Sequence, residues 1–152
     1  MAEQEKKSKP EDQIQISTFY LGDTLCGIDI TLVQEINDNT NFTGVPLSAD
    51  YIRGIMNLRG QIVTVIDQSK KIGFEPTVLT PKSRVIIVNA FNENTGLLVD
   101  QIADVIVVDR KRIKSSPSNI NGIQGEFIKG VVQTDNNELV ALLDINVILK
   151  EV

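Results

Sequence analysis

The two halves of this chain repeat one another in order, and no other feature constrains the fold as much. Gly27-Ile28-Asp29-Ile30 through Val33-Gln34-Glu35-Ile36 matches Gly96-Leu97-Leu98-Val99 through Ile102-Ala103-Asp104-Val105, glycine on glycine and acid on acid. Farther on, Tyr51-Ile52-Arg53-Gly54-Ile55-Met56-Asn57 matches Phe127-Ile128-Lys129-Gly130-Val131-Val132-Gln133. Each block leads to an apolar run closed by an aspartate, Val63 to Asp67 and Val140 to Asp144, and then to a helix-like tail. Matching blocks in one order indicate a duplicated unit, and two copies make a pair of related subdomains, not a solenoid. The first repeat spans about residues 14–73 and the second about 83–150.

Strand signals dominate both copies. Ile14 to Leu21 alternates apolar and polar through Phe19 and runs into the turn pair Gly22-Asp23. Leu25 to Ile30 reads as the next strand, Ile36 to Asn41 as a loop, and Phe42 to Val45 as a short strand. Ile52 to Leu58 and Gln61 to Ile66 read as a hairpin around Arg59-Gly60, followed by a helical turn that Gly73 stops. Phe74 to Lys82, with two prolines, reads as the linker. In the second copy Arg84 to Ala90 is apolar nearly throughout, so it is expected to be buried on both faces. Asn92 to Gly96 reads as a turn, Leu97 to Val99 and Ile102 to Val108 as strands, and Lys111 to Gln124 as a polar excursion. Phe127 to Thr134 and Leu139 to Leu143 are strands, and Ile145 to Leu149 is a short closing helix. Many short strands without room for long helices predict an all-β fold. The expectation is two five-stranded, SH3-like β-barrels, one per repeat, which also hides the sheet edges.

The chemistry is defined by what is missing. The 152 residues contain no histidine and one cysteine, Cys26, in an apolar strand. That removes the commonest general base and the usual nucleophile pairs, and leaves a buried structural thiol as the reading for Cys26. A lone cysteine makes no intrachain disulfide, so a reducing cytoplasm is the expected location. The polar stretch 1–12 lacks an apolar signal segment and reads as a disordered leader. No apolar run approaches the ~20 residues of a membrane span, so no membrane insertion is expected. Asp67 and Asp144 each precede a helical turn and read as N-caps. Asp100 and Asp104 could meet a cation but lack EF-hand spacing. No cofactor is expected, because no glycine-rich phosphate loop is present. The basic run Arg110 to Lys114 reads as a solvated loop or a contact for an acidic partner.

A small barrel can also bind single-stranded nucleic acid. That needs a basic face and stacking aromatics. The net charge here is −5 and tryptophan is absent, so nucleic acid is not expected as a partner. Two charged residues stay open. Arg59 tips a hairpin and Glu35 interrupts an apolar segment, and each fits a structural salt bridge or a partner contact.

The segments GIDITLVQEI, YIRGIMNLRGQIVTVIDQSKKIG, GLLVDQIADVI, FIKGVV and LVALLDI, in that order over about residues 13–151, resemble the CheW family of bacterial chemotaxis coupling proteins. The Gly54 to Gly60 core, Gly-x-x-Asn-Leu-Arg-Gly, carries most of the likeness. The resemblance implies two SH3-like barrels and a non-catalytic adaptor. Its implied partners are the regulatory domain of the histidine kinase CheA and the cytoplasmic tip of methyl-accepting chemoreceptors, at membrane-associated arrays. It also implies receptor or kinase contacts at Val33, Glu35, Gly54, Asn57, Arg59, Gly60, Val85 and Val105. A stand-alone coupling protein fits best, with a module of a CheV or CheA relative as the alternative.

Overall fold

The computed structural model describes residues 10–115, 119–120 and 122–150. The expected disorder of the leader therefore lies, for residues 1–9, outside the described residues. The first half contributes β1 (Gln13–Leu21), β2 (Thr24–Asp29), β3 (Val33–Asn37), β4 (Ile52–Leu58), β5 (Gln61–Asp67) and α1 (Gln68–Lys71). The second contributes β6 (Arg84–Ala90), β7 (Glu93–Val99), β8 (Gln101–Asp109), the short pair β9 (Asn119–Ile120) and β10 (Ile123–Gln124), then β11 (Ile128–Gln133), β12 (Leu139–Leu143) and α2 (Ile145–Ile148). The all-β expectation and the two five-stranded sheets hold.

The allocation of strands to sheets differs from one barrel per repeat. One sheet has the order β11-β12-β2-β1-β8 and the other β4-β5-β7-β6-β3. Each repeat lends its first hairpin, β1-β2 or β6-β7, to the sheet of the other. Each exchanged hairpin pairs antiparallel on one edge, β1 with β8 and β6 with β3, and parallel on the other, Cys26 with Ala141 and Gly27 with Leu142 in one sheet, Thr64 to Asp67 with Thr95 to Leu98 in the other. Hydrophobic alternation decides which face of a strand is buried, but it does not choose between two partners with the same pattern. That is why the repeat was legible and the exchange was not.

Each sheet closes through a returning segment. After β3 the chain comes back to β4, where Thr43 and Ile55 exchange both backbone hydrogen bonds at 2.9 and 2.8 Å. After β8, Lys114 and Val131 do the same at 2.8 and 2.9 Å. The expected strand at Phe42 to Val45 is thus a single bridge. β3 takes in Ile36 and Asn37, which the sequence reads as loop, and Val33 to Glu35, which it gives to no element, although its counterpart β8 is expected. The turn assigned to Asn92–Gly96 is tighter: Phe91 and Asn92, at φ 55° and 61°, form it, and Glu93 already pairs with Ala90.

Three apolar layers follow from the alternation. Met56, Val63, Val65, Val85, Ile87 and Leu98 fill one barrel. Ile16, Val108, Val132, Val140 and Leu142 fill the other. Between the sheets lies the largest layer, with Phe19, Leu21, Ile28, Ile66, Ile86, Val88, Leu97 and Leu143 among its members. β6 and β7 feed two layers at once, so Val85 to Val88 are buried on both faces, as expected. α1 and α2 are capped by Asp67 and Asp144, whose carboxylates accept from Lys70 N and Val147 N at 3.3 Å each.

The exchange makes each half insufficient by itself. Residues 1–78 and 79–152 produced separately should each fail to give a dispersed amide spectrum as a monomer, and should gain one when mixed in equal amounts. A single half that folds as a monomer would contradict the observed strand order.

Candidate partner-binding site

The β4–β5 connection has two central residues, Arg59 and Gly60, between the paired Leu58 and Gln61. Both have positive φ, 52° and 85°, as the type I′ hairpin turn requires. Glycine adopts such a backbone freely; arginine there costs on the order of 1 kcal/mol. Asn57 supports the turn by accepting the Gly60 N–H at 2.9 Å.

Arg59 reaches from this turn to β3. Its Nη2 lies 2.7 Å from Glu35 Oε1. β3 and β4 are opposite edges of one sheet, so the ion pair spans the seam where the barrel closes. The choice between internal salt bridge and partner contact therefore resolves unevenly. Glu35 is committed to Arg59 and its side chain is 23% exposed, whereas that of Arg59 remains 76% exposed. An exposed pair of this kind stabilises by at most about 1 kcal/mol. Asp104, the counterpart of Glu35, makes no ion pair among the described residues, and its main-chain carbonyl accepts from the Thr18 hydroxyl. The pair belongs to one repeat only.

The other proposed contact residues separate into three kinds. Asn57, Arg59 and Gly60 form the exposed turn, and Val33 lies half-buried at the start of β3 against the inter-sheet core. Val105 is 53% exposed on β8, in the other sheet. Gly54 and Val85 offer no side chain to a partner. Val85 is fully buried inside a barrel, so a direct contact through it is corrected to a packing role. Gly54 is buried with φ 152°, and a Cβ there would lie 2.5 Å from Thr43 O. It lets the returning segment close the barrel. Sequence reasoning missed Ile36 and Ile62, which are 44% and 64% exposed beside this turn and strand. Ile62 pairs with Asn57 across the hairpin. Their signal was an apolar residue on the solvent face of an alternating strand.

Nothing here assembles into a reaction centre. Among the described residues no group of three or more potential metal ligands occurs. Asp100, one half of the cation reading, instead accepts the Gly22 N–H at 2.6 Å. Cys26 is buried, and desolvation pushes its thiol from 9.0 up to about 12. In the basic run, Arg112 bonds to Gln133 O at 2.7 Å and Asp135 at 3.3 Å.

Residues 15–152 match the model of the CheW-like domain. The chain belongs to that family. Its members are non-catalytic scaffolding adaptors, and this chain is one of them. It is 34% identical to the chemotaxis protein CheW of Treponema pallidum over 136 residues, covering 87% of this chain and 80% of that protein. It is 31% identical to CheV3 of Helicobacter pylori, covering 82% of this chain and 41% of that longer protein. The crystal structure of the scaffolding protein TtCheW from Thermoanaerobacter tengcongensis superposes with a TM-score of 0.81 at 31% identity, over 92% of this chain and 88% of that one.

Two outcomes follow from the buried positions. Gly54→Ala should destabilise by about 2–4 kcal/mol in urea unfolding, combining an unfavourable φ with a backbone clash. Gly130→Ala should cost less, because its nearest neighbour is the Ile113 side chain at 2.7 Å and its backbone contact, Lys114 O, lies at 3.0 Å. Equal losses would refute the distinction. Cys26 should resist a thiol reagent at pH 8 in the folded protein and react at once in urea. Since its pKa is raised on folding, its contribution to stability is complete below 9.0 and declines as pH rises from 9.0 toward about 12.

Proposed function

We propose that this chain couples the cytoplasmic tip of methyl-accepting chemoreceptors to the regulatory domain of the kinase CheA, in receptor arrays at the cytoplasmic face of the membrane. The observation that carries the reading is Arg59: a guanidinium held on a left-handed turn, three-quarters exposed, at the centre of the family motif. A residue kept at an unfavourable φ, contributing little to stability, is explained by what it touches outside the chain.

Val33, Glu35, Asn57, Arg59 and Gly60 gather on β3 and the β4–β5 turn of one sheet, while Val105 lies on the other. Exposed Ile36, Ile62 and Val105 supply apolar surface for a helical hairpin, which docks by its apolar ridge, with the charged rim setting register. Two barrels of the same strand order present two related faces, so pairing with a similar barrel on the kinase can propagate into a closed ring. Adaptor work of this kind needs geometry and no bond chemistry. The relatives' names and the family match support it.

Arg59→Asn separates the two roles of this position. Asparagine before glycine suits the type I′ turn, so stability should hold within about 1 kcal/mol although the ion pair is lost. Binding to a receptor-tip fragment or to the CheA regulatory domain, followed by surface plasmon resonance at low and high salt, should weaken for one partner, partly through the association rate. Glu35→Lys should do the same. Unchanged binding to both partners in folded variants would overturn the reading.

A further inference from the structure

Barrel pseudo-symmetry shows a counterpart of a seat that this chain occupies in itself, and among the described residues no threonine sits in it. In the β3–β7 sheet, the linker residue Thr77 is buried, although its neighbours Pro76 and Val78 are exposed. Three groups hold it. Asp67 accepts the Thr77 N–H at 2.9 Å and its hydroxyl at 3.1 Å. Ser69 Oγ lies 3.2 Å from that hydroxyl. Arg53 donates to the Thr77 carbonyl at 2.8 Å. Every polar atom of the inserted residue is thereby satisfied, which is what burial of a polar residue demands.

The repeat gives each holder a counterpart: Lys129 for Arg53, Asp144 for Asp67 and Asn146 for Ser69. All three line one cavity of about 120 Å³ at the mouth of the other barrel, floored by Ile16, Ile28 and Leu142. Among the described residues, the Asp144 carboxylate accepts only the Val147 N–H, and the Lys129 side chain makes no hydrogen bond or ion pair. The acceptor and the cation that grip a threonine in one barrel are thus presented in the other.

We infer that this cavity is a docking site for an extended peptide segment of a partner chain that inserts one threonine. Its N–H and hydroxyl bond to Asp144, its carbonyl accepts from Lys129, and its methyl group meets the apolar floor. Arg110 also lines the cavity. Asp29 lines it too, so two cations and two carboxylates surround the seat and the selection falls on the threonine itself. The site lies away from the Glu35–Arg59 seam and does not rest on the receptor–kinase reading.

The probe is a blocked octapeptide of residues 73–80, Gly-Phe-Glu-Pro-Thr-Val-Leu-Thr. Titrated into the full ¹⁵N-labelled chain, it should move the amides of Lys129, Asp144 and Asn146 saturably, with a dissociation constant of about 1 mM or tighter. The Thr77→Val peptide, and separately Lys129→Ala in the protein, should each weaken binding at least about fivefold. Lys129 is exposed, so its loss leaves the fold intact, and Asp144→Asn tests the carboxylate while keeping a capping residue. Shifts elsewhere on the surface, or equal binding of the threonine and valine peptides, would overturn the assignment. So would no shift at these amides at several times that concentration.

Discussion

Two parallel strand pairings, β2 with β12 and β5 with β7, are the constraint on which the rest depends. Without them the first hairpins would be held only by the antiparallel pairs β1–β8 and β3–β6, and β2 and β7 would each keep a bare edge. Through them each first hairpin becomes the centre of the opposite sheet, and the inter-sheet layer around Phe19, Ile66, Ile86 and Leu97 is built from both halves. The two barrels are consequently one body. A partner on one face therefore meets a surface whose orientation to the other face is fixed by the core.

Barrel closure then sets the site. The edges left over by the exchange, β3 and β4, meet through Thr43 and Ile55 above Gly54, and at the top of that seam Glu35 and Arg59 join. The closure needs a residue without a side chain at Gly54, whereas its equivalent Gly130 sits under the Ile113 side chain and less tightly under Lys114. The family motif is therefore mixed. Its glycine at 54 serves the fold, its Asn57 and Gly60 shape a turn, and its Arg59 is the part turned outward.

Much of this was legible in the residues. The repeat, the strand content, both aspartate caps and the double burial of Val85 to Val88 within the run Arg84 to Ala90 follow from local pattern and residue chemistry. The exchange did not, because strand partners far apart in sequence leave no local mark. β3 was missed since Val33 to Asn37 is short and half polar, although Ile102 to Val108 announced its counterpart. Val85 was assigned to a contact by likeness alone. Its place in an unbroken apolar run already pointed inward. The pairing of Glu35 with Arg59 needed the third dimension, since β3 and the hairpin tip are adjacent only once the barrel is shut.

The strand exchange also governs how the chain is made. A ribosome delivers β1 and β2 first, but their sheet lacks β8, β11 and β12 until nearly the whole chain has emerged. For most of its synthesis, at ~5–20 residues per second, the nascent protein carries an apolar hairpin with both edges unpaired. It is then that such edges are open to pairing with a neighbouring copy, and the long-range pairing that would protect them is intrinsically slow. Each copy of this protein thus reaches a fold that matures only after its last strands are released.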